Sequence, residues 1–356
     1  DFTVAVIISN LLYWIFLTSA TVFSLLLGGI FYRTKIANLI NTIHIFDKDF
    51  LVDGNKVYMR TYILVCTEII IVFVIFGMTI IYDCWISVSI VGYNAHFVGI
   101  YFVYMVNYIM IIQFSVLVYL LYQHFSILNE NLPNCVKPSE STGNSNAALF
   151  TEKGIFPISI QNTRLKLPPK IQNYTKLTSK ESKLINDEQI HSKIRILRTQ
   201  QSYLRNLAEI VNEVYGMQIL FEFFTSFIDI TSNLHFNIEY AFLKENSVYH
   251  NRQGSEHLVC MGIIWALVIA LKVLYVVTVC HMTSTEAART VDQLQQLLLS
   301  LPTEGTSTLE IQFFLHQVTS RPLRFTAYGF FDLDRSFFCS FIGAVITNLI
   351  VLLQFR

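Results

Sequence analysis

The sequence predicts an all-α, polytopic membrane protein with six spanning helices and a cytoplasmic helical stem. Two bulk observations and one pattern lead there. Of 356 residues, 53% are hydrophobic and 14% charged, whereas soluble domains carry about 25% charged residues. Apolar runs of bilayer length recur along the chain. The basic residues between those runs are segregated into alternate segments, although the formal net charge is zero.

Taken in order, the runs cover residues 2–32, 61–82, 94–122, 211–236, 258–282 and 336–355. The first and third exceed the minimum length and are expected to tilt or project. The first lacks the basic front and small-residue cleavage site of a signal peptide. The chain opens on Asp1 and enters this run almost at once, which implies a further N-terminal segment.

Charge sets the orientation. Segments 33–60, 124–210 and 283–335 hold 5, 12 and 4 Lys/Arg residues, against none in 83–93 and two, Lys244 and Arg252, in 237–257. The positive-inside rule makes the three basic segments cytoplasmic and places both ends of the six-span piece outside. One further span before Asp1 would give seven, with a cytoplasmic N-terminus. The sequon Asn173-Tyr174-Thr175 then stays unglycosylated.

Three units follow: 1–130, transmembrane helices with the first cytoplasmic loop; 131–181, a linker; and 182–356, stem helices with the last three spans. The linker is rich in Asn, Ser, Thr, Pro and Lys with little periodicity. Leu184, Ile190, Ile194, Leu197, Leu204 and Leu207 then recur at helical spacing, and the helix runs on into the fourth span. Val291, Leu294, Leu298 and Leu301 repeat the pattern after the fifth span, ended by Pro302. Ser307 and Glu310 match a capping box opening a short helix through Val318. Such a stem is a solvated bundle, a subunit-joining anchor, or both.

Several function classes lose their footing. None of the seven prolines lies in a predicted span, which disfavours transporters with broken helices and proline-kinked receptors. A metabotropic seven-helix receptor stays as the main alternative and a secondary transporter as a lesser one. No phosphate loop, HExxH, GxSxG or paired catalytic carboxylates support an enzyme, and no cofactor is implied. No basic patch interleaved with aromatics suggests nucleic acid. The six cysteines lack CxxC spacing, which argues against zinc; Cys84 and Cys260, near one membrane edge, leave a disulfide open.

Within the spans, Glu68, Glu222 and Lys272 fall within a turn or two of one depth, so Lys272 is expected to pair with Glu222 or Glu68. This trio serves either structure or gating. Asp229 sits nearer the outer third. The outer halves of the spans are aromatic and polar: Tyr101, Tyr104 and Tyr108 share a face with Asn107 beside them and His96 above, while Tyr13, Trp14, Phe76, Phe224 and Trp265 come from other helices. Such walls suit a small organic ligand, and they equally suit an interfacial belt with ordinary packing.

The last run, SFFCSFIGAVITNLIVLLQF, has no charge and no proline. Its ~20 residues span ~30 Å as a helix. Thr347, Val351 and Gln354 fall on one side, with Asn348, Leu352 and Phe355 adjoining. This polar-edged stripe lines an aqueous path or seats the helix against a neighbour; spacing alone allows both.

Residues Thr347 to Phe355 resemble the TYhhhhhQF signature (h apolar) that ends the last helix of insect gustatory receptors, with Asn348 in place of the usual Tyr. Phe325 to Asp334 is similar to the family's approach to that helix, and Leu204 to Leu220 to its fifth helix. The resemblance implies a seven-helix ligand-gated cation channel of inverted topology in the plasma membrane, with an extracellular C-terminus. It implies homo- or hetero-tetramers joined through the stem, a pore lined by Thr347, Val351, Gln354 and Phe355, and a small-molecule tastant as ligand. The family's sugar-sensing branch tends to carry an acidic residue where Leu349 stands, so a bitter or other contact stimulus is favoured over sugar.

Overall fold

The computed structural model describes residues 11, 14–15, 17–22, 25–26, 32–50, 54–90, 96–135, 175–246, 255–301 and 305–354. These are helical almost throughout: α1 (Arg33–Phe50), α2 (Gly54–Ile90), α3 (His96–Asn131), α4 (Thr175–Asn246), α5 (Ser255–Ser300), α6 (Thr306–Ser320) and α7 (Arg335–Gln354). A short 3₁₀ turn, Pro133–Cys135, follows α3. Among the described residues, four segments are long and apolar enough to cross a membrane: Met59–Tyr82, Tyr101–Cys135, Val259–Ser300 and Arg335–Gln354. The protein is a multi-pass membrane protein.

Burial sorts these helices into centre and periphery. The apolar windows of α3 and α5 are 50% and 44% buried, those of α2 and α7 only 11% and 17%. Helix α2 is apolar all round and leaves Ile70, Phe73 and Ile81 exposed, as a lipid-facing helix does. The core lies where α3, α4 and α5 meet, around Val118, Ile219, Val273 and Val277.

Two of the expected spans are not among these four. Most of 2–32 lies outside the described residues, though 17–22 are helical. The stretch 211–236 is continuous with the stem, as its periodicity predicted, in a helix of 72 residues. It is absent from the four because Gln218, Glu222 and Asp229 dilute its apolar character, yet those side chains are only 1%, 2% and 6% exposed. These three face protein, not lipid.

In the stem, α6 packs against both α4 and α5, burying Ile311, Phe314 and Val318. The expected capping box does not form. Gly305 occupies the N-cap position without a side-chain bond, and Asp187 of α4 caps α6 from outside. Its Oδ2 accepts from the Thr306 amide at 3.1 Å and hydroxyl at 2.7 Å. Ser307 Oγ donates to the Asp187 carbonyl at 2.8 Å. Glu310 instead turns to Arg198 at 3.1 Å and His191 at 3.7 Å. A partner on a second helix offered more than a local box.

Burial pushes the Asp187 carboxyl up, but bonds from Ser307 and Thr306 outweigh it and hold the group below the usual aspartate range. Its contribution to stability is therefore present above the ordinary aspartate pKa and lost as pH falls through the lowered one. Replacing Asp187 with Ala is expected to cost about 1 kcal/mol at neutral pH, read as faster hydrogen exchange at the first turn of α6. Unchanged exchange there would count against the cap.

Residues 321–334 form a compact hook between α6 and α7. The Ala327 amide donates to the Phe331 carbonyl at 3.0 Å and the Leu333 amide to Phe325 at 2.8 Å. Tyr328 and Gly329 both take positive φ, 52° and 79°, as a type I′ turn demands. The hook rests on α4 at Gly216, where a methyl group would stand 3.1 Å from the Tyr328 nitrogen. Beside it Asn212 Oδ1 accepts from the Thr326 amide at 2.8 Å. Asp334 then caps α7 by accepting from the Phe337 amide at 2.8 Å.

Candidate functional site

Three helices build a buried polar and aromatic cluster. On each of them two contributors stand seven residues apart, two helical turns on one face: Tyr101 and Tyr108 on α3, Glu222 and Asp229 on α4, Trp265 and Lys272 on α5. The cluster consequently has two layers. In the layer towards the stem, Lys272 Nζ contacts Glu222 Oε1 and lies 5.1 Å from the Tyr108 ring centroid. These two charged side chains are 7% and 3% exposed. An ion pair so buried persists because each charge offsets the other's desolvation.

The second layer is aromatic around one carboxylate. Asp229 accepts from the Tyr104 hydroxyl at 2.7 Å and from the Asn233 amide at 2.7 Å. Trp265 stacks on Tyr104 with centroids 5.3 Å apart and lies 6.2 Å from Tyr101. Phe76 of α2 closes the side, edge-on to Tyr108 at 4.8 Å and to Trp265 at 5.9 Å. Asn107 donates to Thr21 at 3.3 Å. Asn107 Oδ1, Gln218 Oε1, Glu222 Oε2 and Tyr108 Oη are buried without a hydrogen-bond partner among the described residues.

Of the sequence-selected residues, the structure brings Tyr101, Tyr104, Asn107, Tyr108, Asp229 and Trp265 together with Glu222 and Lys272. Glu68 stands apart from Lys272: it accepts from the Tyr275 hydroxyl instead. Phe224 is 47% exposed on the outside of the bundle, because Phe223 and Phe227, about 100° and 60° from it round the helix, take the packed face. Trp14 is likewise 42% exposed. Tyr13, the His96 side chain and Phe355 lie outside the described residues. Sequence reasoning missed Tyr275, Asn233 and Thr21. Tyr275 follows Lys272 by three positions on one face, and Asn233 follows Asp229 by four, so helical spacing was available to find both.

Helix α7 is held by one face. Phe341 and Val345 are buried. Phe331 and Phe337 stack at 4.3 Å, and Phe223 of α4 joins them at 5.2 Å from Phe337. Asn348, Leu349 and Leu352 are half-buried, whereas Thr347, Val351 and Gln354 are all exposed. The stripe read from spacing therefore lies on the side turned away from the rest of the chain. Cys260 and Cys339 carry free, exposed thiols; the side chain of Cys84, the other half of the disulfide left open for Cys260, lies outside the described residues.

A family model described as 7tm Chemosensory receptor matches residues 4–356. The chain belongs to this chemosensory receptor family. Among curated relatives, the receptor is 28% identical over 153 residues to Gustatory receptor 68a of Drosophila melanogaster, which covers 43% of this chain and 38% of that protein. It is 26% identical over 167 residues to Putative gustatory receptor 2a of the same species, 42% and 38% of the two chains. The match thus spans well under half the length of either relative. Among solved structures, the olfactory receptor OR5 of Machilis hrabei superposes with a TM-score of 0.63 at 15% identity, covering 98% of this receptor and 81% of OR5. The complex of OR5 with eugenol gives 0.57 at 14% identity, covering 97% and 79%. These similarities establish the fold of the receptor, and the family is one of chemoreceptors rather than enzymes.

Proposed function

We propose that this chemosensory receptor is a gustatory, ligand-gated, non-selective cation channel that works as a tetramer, either of identical chains or with related receptors. Its stimulus is a small organic tastant, bitter or otherwise contact-borne rather than a sugar. The basic segments face the cytosol and the C-terminus the outside. The observation that carries this reading is α7, which is packed by one face and presents Thr347, Val351 and Gln354 outward. Four such faces round an axis make a channel whose walls are apolar with a few neutral polar groups. Apolar constrictions close by dewetting, and amides contact hydrated cations without strong selectivity. The buried cluster is the ligand site, and ligand shifts the closed-to-open equilibrium by its differential affinity for the two states.

Cysteine placed singly at Thr347, Val351 and Gln354 is expected to render ligand-evoked current sensitive to a charged, water-soluble thiol reagent, on a background lacking the native exposed thiols. Cysteine at the buried Phe341 should not. Insensitivity at all three stripe positions would remove the pore assignment. Current that vanishes when G-protein supply is withdrawn would point to a metabotropic receptor instead.

A further inference from the structure

The two layers of the cluster repeat one another with a single difference. Stepping seven residues along each helix carries Tyr108 to Tyr101, Glu222 to Asp229 and Lys272 to Trp265. Both layers hold a carboxylate and aromatic faces, but the stem-side layer supplies its own cation, Lys272, in contact with Glu222 and over the Tyr108 ring. Where the other layer would need a second lysine it has an indole. Asp229, 6% exposed, is held by the neutral donors Tyr104 and Asn233. The charge of Lys272 also reaches Asp229, but Glu222 engages it. With both carboxylates ionised, these three groups sum to one excess negative charge in a dry bundle, a costly arrangement.

We propose that the outer layer recognises an organic cation, an amine or quaternary ammonium, whose charge is set between the Asp229 carboxylate and the faces of Tyr101, Tyr104 and Trp265. The cation occupies the role that Lys272 plays two turns away. Ring faces carry the negative end of the aromatic quadrupole and attract a desolvated ammonium, Trp most strongly. The stacked Trp265 and Tyr104 rings, 5.3 Å apart, part to admit it. A neutral ligand of the same shape gains the apolar contact and leaves the carboxylate uncompensated; an anionic one adds to the excess. This inference deepens the ligand-site part of the proposed function by naming the ligand's chemistry, and it does not depend on how the signal leaves the protein.

The test is direct binding to the purified full-length chain in lipid nanodiscs, using benzyltrimethylammonium and its uncharged isostere neopentylbenzene. The ammonium is expected to bind at least about tenfold more tightly, the ratio a desolvated cation–π contact supplies. Asp229→Asn should abolish the preference and Asp229→Glu retain it. Trp265→Leu should weaken the ammonium more than the isostere, with Trp265→Phe in between. Equal or tighter binding of neopentylbenzene to the unaltered chain overturns the inference, as does failure of the ammonium to bind. If Asp229→Asn does not fold, the unaltered chain and the two Trp265 variants still decide. Ammonium preference in a protein that passes no current would refute the channel and leave this inference standing.

Discussion

Replacing Lys272 with Met is expected to destabilise the receptor by about 3–5 kcal/mol, the cost of leaving one member of a buried ion pair alone. That is a large part of the roughly 5–15 kcal/mol that holds a typical protein folded. Methionine keeps the bulk of the lysine stem, so the loss isolates the charge with its ion pair and its position over the Tyr108 ring. Glu222, with its side chain 3% exposed, would be the ion left behind. The double variant Glu222→Gln with Lys272→Met should recover most of the loss, because it removes both charges together. Thermal unfolding of the detergent-solubilised protein reads both effects. A single variant as stable as the parent would show that the pair carries no weight.

The second large effect is expected at Asn129, which ties α3 to α5 inside the stem. Its Nδ2 donates to the Glu286 carbonyl at 2.8 Å and to Glu286 Oε1 at 2.9 Å, and its Oδ1 accepts from Thr290 Oγ1 at 2.8 Å. Asn129 is 3% exposed and Thr290 fully buried. Asn129→Ala leaves a hydroxyl and a carboxylate without their buried partners, for a loss of about 2–4 kcal/mol. Asn129→Asp should be no better, since it sets a second carboxylate beside Glu286 and removes the donor. Faster hydrogen exchange across residues 283–297 in both variants is the expected record; protection equal to the parent's would contradict it.

These two sites differ in how far they could be read from residues alone. Lys272 and Glu222 announced themselves because a charge inside an apolar run must find an opposite charge, and helical rise put them at one depth. The choice of Glu222 over Glu68 was not legible: it depends on which helices touch, and Tyr275 intervened. Asn129 gave no sign, being one polar residue near the end of a long helix. Aromatic residues were legible as a group and not singly. Tyr101, Tyr104 and Tyr108 lie on the inner face that their spacing predicts, while Phe224 stands about 60° to 100° round the helix from Phe227 and Phe223 and misses their face. The capping box failed because a local motif competes with Asp187, 119 residues away along the chain, and sequence proximity carries no information about that rival. The fold class was the easiest part, since lipid demands long apolar helices and the charges between them have nowhere else to go.

The attachment of α7 has a mechanical consequence. The Phe223, Phe331 and Phe337 stack, the Asp334 cap and the hook on Gly216 all fasten its beginning. Beyond Val345 the helix has no fully buried residue among those described. It is a rod held over its first half, and the remaining ~14 Å turns a tilt of about 10° at Val345 into a sideways movement of about 2 Å at the tip. A modest bend beyond Val345, leaving the aromatic stack at the helix start in place, therefore reaches Gln354 as a displacement close to the width of a water molecule.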